Sequence, residues 1–394
     1  MAKNIVICCD GTGNQIGRTL SNVLKLFRIV QKNETQRVYY GPGLGTIGSD
    51  DQWARIKQDS RAVLGLATGY GLDDDILEAF RFLCENHEPD DAIFLFGFSR
   101  GAYTVRALAA FIHMVGLLPR DQLNIADYAL TAYKRAAEDN DLSIAWNFSR
   151  IAGGRRTTIK FIGVWDTVAS ILVPRGDRLI PTFQMLPYTR RNPSVQVFRQ
   201  AMAIDERRRL FRLNRWVAPQ PFKANPFDAS APDTQQDIKQ VWFAGVHADV
   251  GGGYPEAESA LSKFPLDWLV TEAVAQGLNI NVAMRNHLVL GEPRAGGTQT
   301  YVAPDPAGQL HQSLTPAWWP LEWLPKSVRW EEWPRPRLLG HYIPNGEPRR
   351  IANPTLTPRI HQSVFDRMRL VPSYKPINLP DTYEIEPYGQ TGGA

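Results

Sequence analysis

A strand-length apolar run, Ala92-Ile93-Phe94-Leu95-Phe96, passes through Gly97-Phe98-Ser99-Arg100-Gly101 directly into the helical pattern Ala102 to Val115. No other stretch restricts the fold as much. A serine on a sharp turn between strand and helix projects its hydroxyl above a sheet edge, and the flanking glycines let neighbouring backbone come close enough to make the turn. The N–H of Arg100, the residue after the serine, is then placed to stabilise an oxyanion. G-x-S-x-G by itself is common in loops. The strand before it and the helix after it identify a nucleophile elbow rather than an ordinary turn.

Elsewhere, short apolar runs alternate with helical patterns: Asn4 to Cys9, a helix over Asn22 to Val30, Arg37 to Tyr40, a helix from Asp73 to Glu85, then the elbow strand. That alternation predicts a mostly parallel central sheet with helices on both faces. Beyond a further helix over Asp127 to Glu138, Thr158 to Trp165 and Ile238 to Val246 read as buried strands. The stretch 174–237 between them carries prolines at 174, 181, 187, 193, 219, 221, 226 and 232, so it is expected to leave the sheet as a lid-like insertion. After a helix over Leu266 to Ala275, the chain from Glu292 becomes rich in Pro, Arg and Trp, centred on Pro316-Ala317-Trp318-Trp319-Pro320. A core at 1–290 is therefore expected to carry a packed C-terminal region at 291–394. Those tryptophans suit either a packed subdomain or a surface that touches lipid.

With 394 residues, 43% of them hydrophobic, the chain can build a substantial core. Its 44 basic and 40 acidic residues are dispersed, so no nucleic-acid stripe stands out. No run of 18 apolar residues and no basic-apolar leader is present, so neither a membrane span nor a signal peptide is expected, and synthesis is placed in the cytoplasm. Cys8, Cys9 and Cys84 offer no disulfide framework and no zinc spacing. No metal or organic cofactor is expected.

In an open α/β sheet, ligands bind beyond the carboxyl ends of the strands. Four such ends carry reactive groups: Asp10-Gly11-Thr12-Gly13-Asn14, Ser99, Asp166-Thr167 and His247-Ala248-Asp249. A serine needs an imidazole to take its proton, and the imidazole needs a carboxylate to fix its tautomer. His247 is the candidate base and Asp166 the candidate orienter. Gly11 or Thr12 is the candidate for a second oxyanion N–H beside Arg100. His361 and His311 rival His247, and Asp249 and Asp10 rival Asp166, while His113 and His87 lie within or at the ends of helices and read as structural. Gly11-x-Gly13-x-x-x-Gly17 has one residue too many for a dinucleotide fingerprint. Asp10-Gly11-Thr12 resembles the start of a haloacid-dehalogenase-type phosphatase, but Thr12 stands where the second aspartate would be.

Several motifs together resemble one family: Cys9 to Asn14, Tyr40-Gly41-Pro42-Gly43-Leu44-Gly45-Thr46, Gly97 to Ala102, Gly163-Val164-Trp165-Asp166-Thr167-Val168, Ala203-Ile204-Asp205-Glu206-Arg207-Arg208, Phe243 to Tyr254, and His361-Gln362-Ser363-Val364. The chain is similar, over about 3 to 370, to an α/β-hydrolase domain long classed as uncharacterised and found in bacteria and fungi. Its best-known members are type VI secretion lipase effectors of the first phospholipase class. The resemblance implies an α/β-hydrolase fold and a serine lipase or esterase with its triad on Ser99, Asp166 and His247. It also implies lipid-ester substrates, contact with a membrane surface, export by a specialised secretion apparatus and a cognate immunity protein. An intracellular esterase acting on other esters, or a binding module whose pocket is closed, shares the same motifs.

Overall fold

Side-chain alternation along the short apolar strands decides the layering. The computed structural model describes residues 2–11, 19–43, 71–138, 143–168, 172–173, 182–183, 186–223, 234–294, 296–352 and 356–389. Strand β1 (Asn4–Cys9) sends Ile5, Ile7 and Cys9 into one apolar cluster and Val6 and Cys8 into another; β3 (Ala92–Phe98) divides Ile93 and Leu95 from Phe94, Phe96 and Phe98 in the same way. Both faces of these strands are therefore buried, as a parallel sheet requires.

The remaining strands are β2 (Gln36–Gly41), β4 (Ile159–Trp165), β5 (Val195–Ala203), β6 (Asp237–Phe243), β7 (Arg359–His361) and β8 (Glu384–Glu386). They form an 8-stranded sheet in the order β8-β7-β6-β5-β4-β3-β1-β2, every pair parallel. One face is covered by α2 (Leu72–Asn86), α3 (Ser99–Val115) and α4 (Ala126–Glu138). The other carries α1 (Asn22–Ile29) and the helix Lys263–Val274. Helix α3 is buried throughout Gly101 to Val115, which explains its apolar residues on every side. No helix among the described residues is long and apolar enough to cross a membrane.

Two expectations need correction. The stretch 174–237 does not leave the sheet as a whole, because β5 lies in its middle, between β4 and β6. Its prolines flank the strand instead, and the flanks make two small ribbons, Leu172–Val173 with Thr182–Phe183 and Pro221–Phe222 with Thr234–Gln235. What disguises β5 is its polar content. Arg199 and Gln200 are both buried: Arg199 pairs with Asp237 at 2.6 Å and Glu272 at 2.5 Å, and the Gln200 side-chain amide donates to the Asn214 carbonyl at 3.2 Å.

Nor does the sheet end at residue 290. Strands β7 and β8 come from the C-terminal region and extend the sheet beyond β6. These strands have only 3 residues each, too few for a periodic signal. The Trp-rich part does form its own small unit, an antiparallel sheet of Lys326–Ser327, His341–Tyr342 and Arg337–Leu338.

Candidate active site

Strand register brings the reactive strand ends abreast. Cys9 pairs with Gly97, Phe98 with Trp165, Trp165 with Ala201, and Ala203 with Phe243. The residues that follow, Asp10, Ser99, Asp166 and the segments leading to Glu206 and His247, consequently open on one edge. Ser99 has φ +56° and Asp166 φ +38°, left-handed conformations uncommon for residues with a side chain and concentrated at functional turns. Glycines make the elbow possible. A Cβ on Gly97 would stand under 3.0 Å from the Gly101 carbonyl, and one on Gly101 equally close to the carbonyls of Cys9 and Asp10. The end of β1, the end of β3 and the first turn of α3 are thus in direct backbone contact.

Ser99 Oγ lies 2.8 Å from His247 Nε2, and His247 Nδ1 lies 2.5 Å from Asp166 Oδ2. Burial raises the Asp166 carboxyl, but the Arg349 guanidinium and His247 outweigh it and hold the group well below the usual carboxylate range. An ionised Asp166 can only accept, so Nδ1 carries the proton and Nε2 presents its lone pair to Ser99. Burial also lowers the His247 pKa, more than Asp166 raises it, so the ring is neutral near pH 7. Ser99 is half-buried while His247 and Asp166 are buried, and the rings of Phe98 at 4.7 Å and Phe211 at 4.9 Å wall the imidazole. The arrangement can deprotonate a hydroxyl beside a helix N-terminus, where the dipole favours developing negative charge.

Surrounding groups hold these three in place. The Ala203 N–H donates to Asp166 Oδ1 at 3.0 Å, and Arg349 grips both carboxylate oxygens at 2.6 and 3.0 Å. Fully buried Glu206 accepts from the His247 N–H at 3.2 Å, from Ser313 Oγ at 2.8 Å and from the Arg208 guanidinium at 2.9 Å. Its carboxyl is pushed up by burial and pulled down further by Arg208, to about 2. Glu206 and Arg208 stand in a motif already noted, without a role that spacing could assign. Arg349 and Ser313 carry no sequence signal at all.

The other candidates have different partners. Asp10 accepts from the Gly11 N–H at 2.7 Å, from Tyr40 Oη at 2.9 Å and from Ser21 Oγ, so it binds its own loop to the start of α1 and to β2. That engages the Gly11 N–H and competes with its expected use as an oxyanion donor; Thr12 lies outside the described residues. His311 pairs with Asp249 at 2.6 Å and Glu258 at 3.1 Å and stacks on Tyr254. His361 caps the helix Gln362–Leu370 by accepting from the Ser363 N–H at 3.2 Å, and burial pushes its pKa down to about 4. His113 Nδ1 meets Ser194 Oγ at 2.6 Å inside the core, and His87 packs with Arg155. The rivals are therefore occupied in capping, pairing and packing.

The family model described as "T6SS, Phospholipase effector Tle1-like, catalytic domain" matches residues 3–272. An uncharacterised protein of Saccharomyces cerevisiae is 33% identical over 225 residues, 53% of this chain and 32% of the yeast protein, so the chain spans about a third of that relative. Among solved structures, an uncharacterised protein from Pseudomonas aeruginosa aligns at 18% identity and a TM-score of 0.38, covering 72% of this chain and 47% of that one. The Tle1 effector bound to the VgrG spike of the type 6 secretion system aligns at 20% identity and a TM-score of 0.31, covering 66% and 52%.

Proposed function

Because this chain belongs to the family of Tle1-like phospholipase effector catalytic domains of type VI secretion, we propose that it cleaves carboxylic esters of lipids with Ser99 as nucleophile, His247 as general base and Asp166 as orienting carboxylate. The observation that carries this reading is the unbroken contact from Ser99 Oγ through His247 to Asp166 at the open end of the sheet. Ser99 attacks the ester carbonyl as its proton passes to His247 Nε2. The Arg100 N–H supports the oxyanion, with a second donor from the loop that holds Gly11 and Thr12. Collapse returns the proton to the departing alcohol and leaves an acyl-serine. Water, deprotonated by the same imidazole, then releases the acid and regenerates Ser99.

The test is a fluorophosphonate probe, which reacts only with an activated serine. Wild type and His361→Ala are expected to label on Ser99 at similar rates, and His247→Ala to lose labelling. An unlabelled wild-type chain would favour a binding module with a closed pocket.

A second observation supports lipid as the substrate class. The hairpin of the small C-terminal sheet exposes Leu338 (76%) and Leu339 (89%), and Leu339 adopts φ +48° at its tip, where Asn or Gly is the usual choice. This unit reaches the site through ring contacts, Trp318 on Phe211 at 5.5 Å and Phe211 on His247. Docking of the tip into a bilayer surface would account for the apolar exposure. Replacing Leu338 and Leu339 together by Asp removes about 1.5–3 kcal/mol of burial per side chain. Vesicle hydrolysis is expected to fall at least roughly tenfold, with short-chain soluble ester turnover unchanged; an equal fall on both substrates would sink the interfacial role. In the effector reading, a secretion apparatus carries the chain to its target, and an immunity protein protects the cell that makes it.

A further inference from the structure

Asp166 serves two donors, the His247 imidazole and the Arg349 guanidinium. Its Oδ2 takes the His247 Nδ1–H at 2.5 Å and also lies 3.0 Å from Arg349 Nη2, while Arg349 Nη1 lies 2.6 Å from Oδ1. The guanidinium is held from behind, since Nη2 also donates to the Phe211 carbonyl at 2.6 Å. The backbone on either side is pinned to the end of β5: the Arg349 N–H donates to the Glu206 carbonyl at 3.2 Å, and Asn378 Nδ2 bridges the carbonyls of Arg349 and Ile204 at 2.8 and 2.9 Å. Arg349 is 4% exposed and lies beyond residues 3–272, which the family model matches.

Resting on the serine-esterase reading, we propose that Arg349 is a positioning residue of the Ser99–His247–Asp166 relay, fixing the Asp166 carboxylate by a two-point ion pair and setting the acidity at which His247 stops acting as base. A planar fork on both oxygens leaves the carboxylate one orientation, with Oδ2 toward His247. It also divides the carboxylate's charge. An aspartate paired with imidazole alone favours the imidazolium, and a second cation on that aspartate weakens the effect, so the base stays neutral in a more acidic medium. The other charged groups around His247 come from the segment after β5, where Glu206 favours its protonation and Arg208 opposes it, and from its own helix, where Asp249 is taken by His311. Glu206 and Arg208 are paired to each other, so Arg349 is the cation that acts on the orienting carboxylate itself.

The experiment is the pH profile of fluorophosphonate labelling at Ser99 for wild type, Arg349→Gln, Arg349→Lys and the exposed neighbour Arg350→Gln. Labelling is divided by the folded fraction measured by circular dichroism at each pH, so the midpoint of the acid limb can be read even where Arg349→Gln lowers that fraction. In Arg349→Gln the limb is expected to move upward by about one pH unit, a shift of the size one nearby charge produces. The plateau rate is expected to drop on the order of a hundredfold from the loosened geometry. Arg349→Lys should fall between, and Arg350→Gln should match wild type. An unmoved limb in Arg349→Gln with wild type still labelling overturns the role of Arg349 and leaves the triad standing. Absence of labelling in wild type overturns both.

Discussion

Replacing Ser99 by alanine is expected to lower ester turnover by a factor on the order of a million while leaving the unfolding midpoint unchanged. In serine hydrolases, loss of the nucleophile or the base alone costs about as much as loss of the whole triad, since the parts act as one unit. Ser99 is half-buried, and its hydroxyl meets His247, whose imidazole stays anchored on Asp166 when that hydroxyl is gone. Alanine also tolerates φ +56° no worse than serine, so the elbow keeps its shape. His247→Ala should match this loss, and the double variant should be no worse than either single one. Turnover of a nitrophenyl ester and of a phospholipid panel measures all three. If Ser99→Ala kept wild-type turnover, the chemistry would have to be sought at Asp10, with a metal-dependent phosphatase assay as the next step.

Gly101→Val is expected to cost the fold at least about 3 kcal/mol, the upper range for forcing atoms into a packed core. The obstruction is backbone, because the new Cβ would fall under 3.0 Å from the carbonyl oxygens of Cys9, which ends β1, and of Asp10 just after it. A flexible side chain could rotate away; a strand paired on both sides cannot. The helix α3 would have to withdraw from β1, taking the Arg100 N–H with it, so labelling of Ser99 should fall as well. Urea unfolding gives the test, with Gly277→Ala as comparison: no atom lies within 4 Å of its Cβ, and only its φ of +98° resists the change. A Gly101→Val midpoint equal to wild type would mean that α3 does not seat on β1 as described.

The sequence by itself carries what a short window of residues contains. The strand–elbow–helix run around Ser99, the alternation in β1 and β3, and the polar residues that end β4 and β6 are local patterns, because a strand or helix imposes its period on adjacent residues. From them the parallel α/β sheet and the strand-end positions of Ser99, Asp166 and His247 follow. Neighbours in the sheet were another matter. Parallel strands lie far apart in the chain, and nothing within β5 tells that Arg199 is neutralised by Asp237 and Glu272, so the strand passed for part of an excursion. The 3-residue strands β7 and β8 are held by their place beside β6 rather than by any period of their own. Tertiary structure alone decided that Asp10 and Gly11 bind each other, that His361 caps a helix, and that Arg349 crosses 183 residues to reach Asp166. Each of those outcomes is a buried polar group finding its partner, and the requirement that such a group be satisfied acts on the folded chain as a whole, not on any window of it.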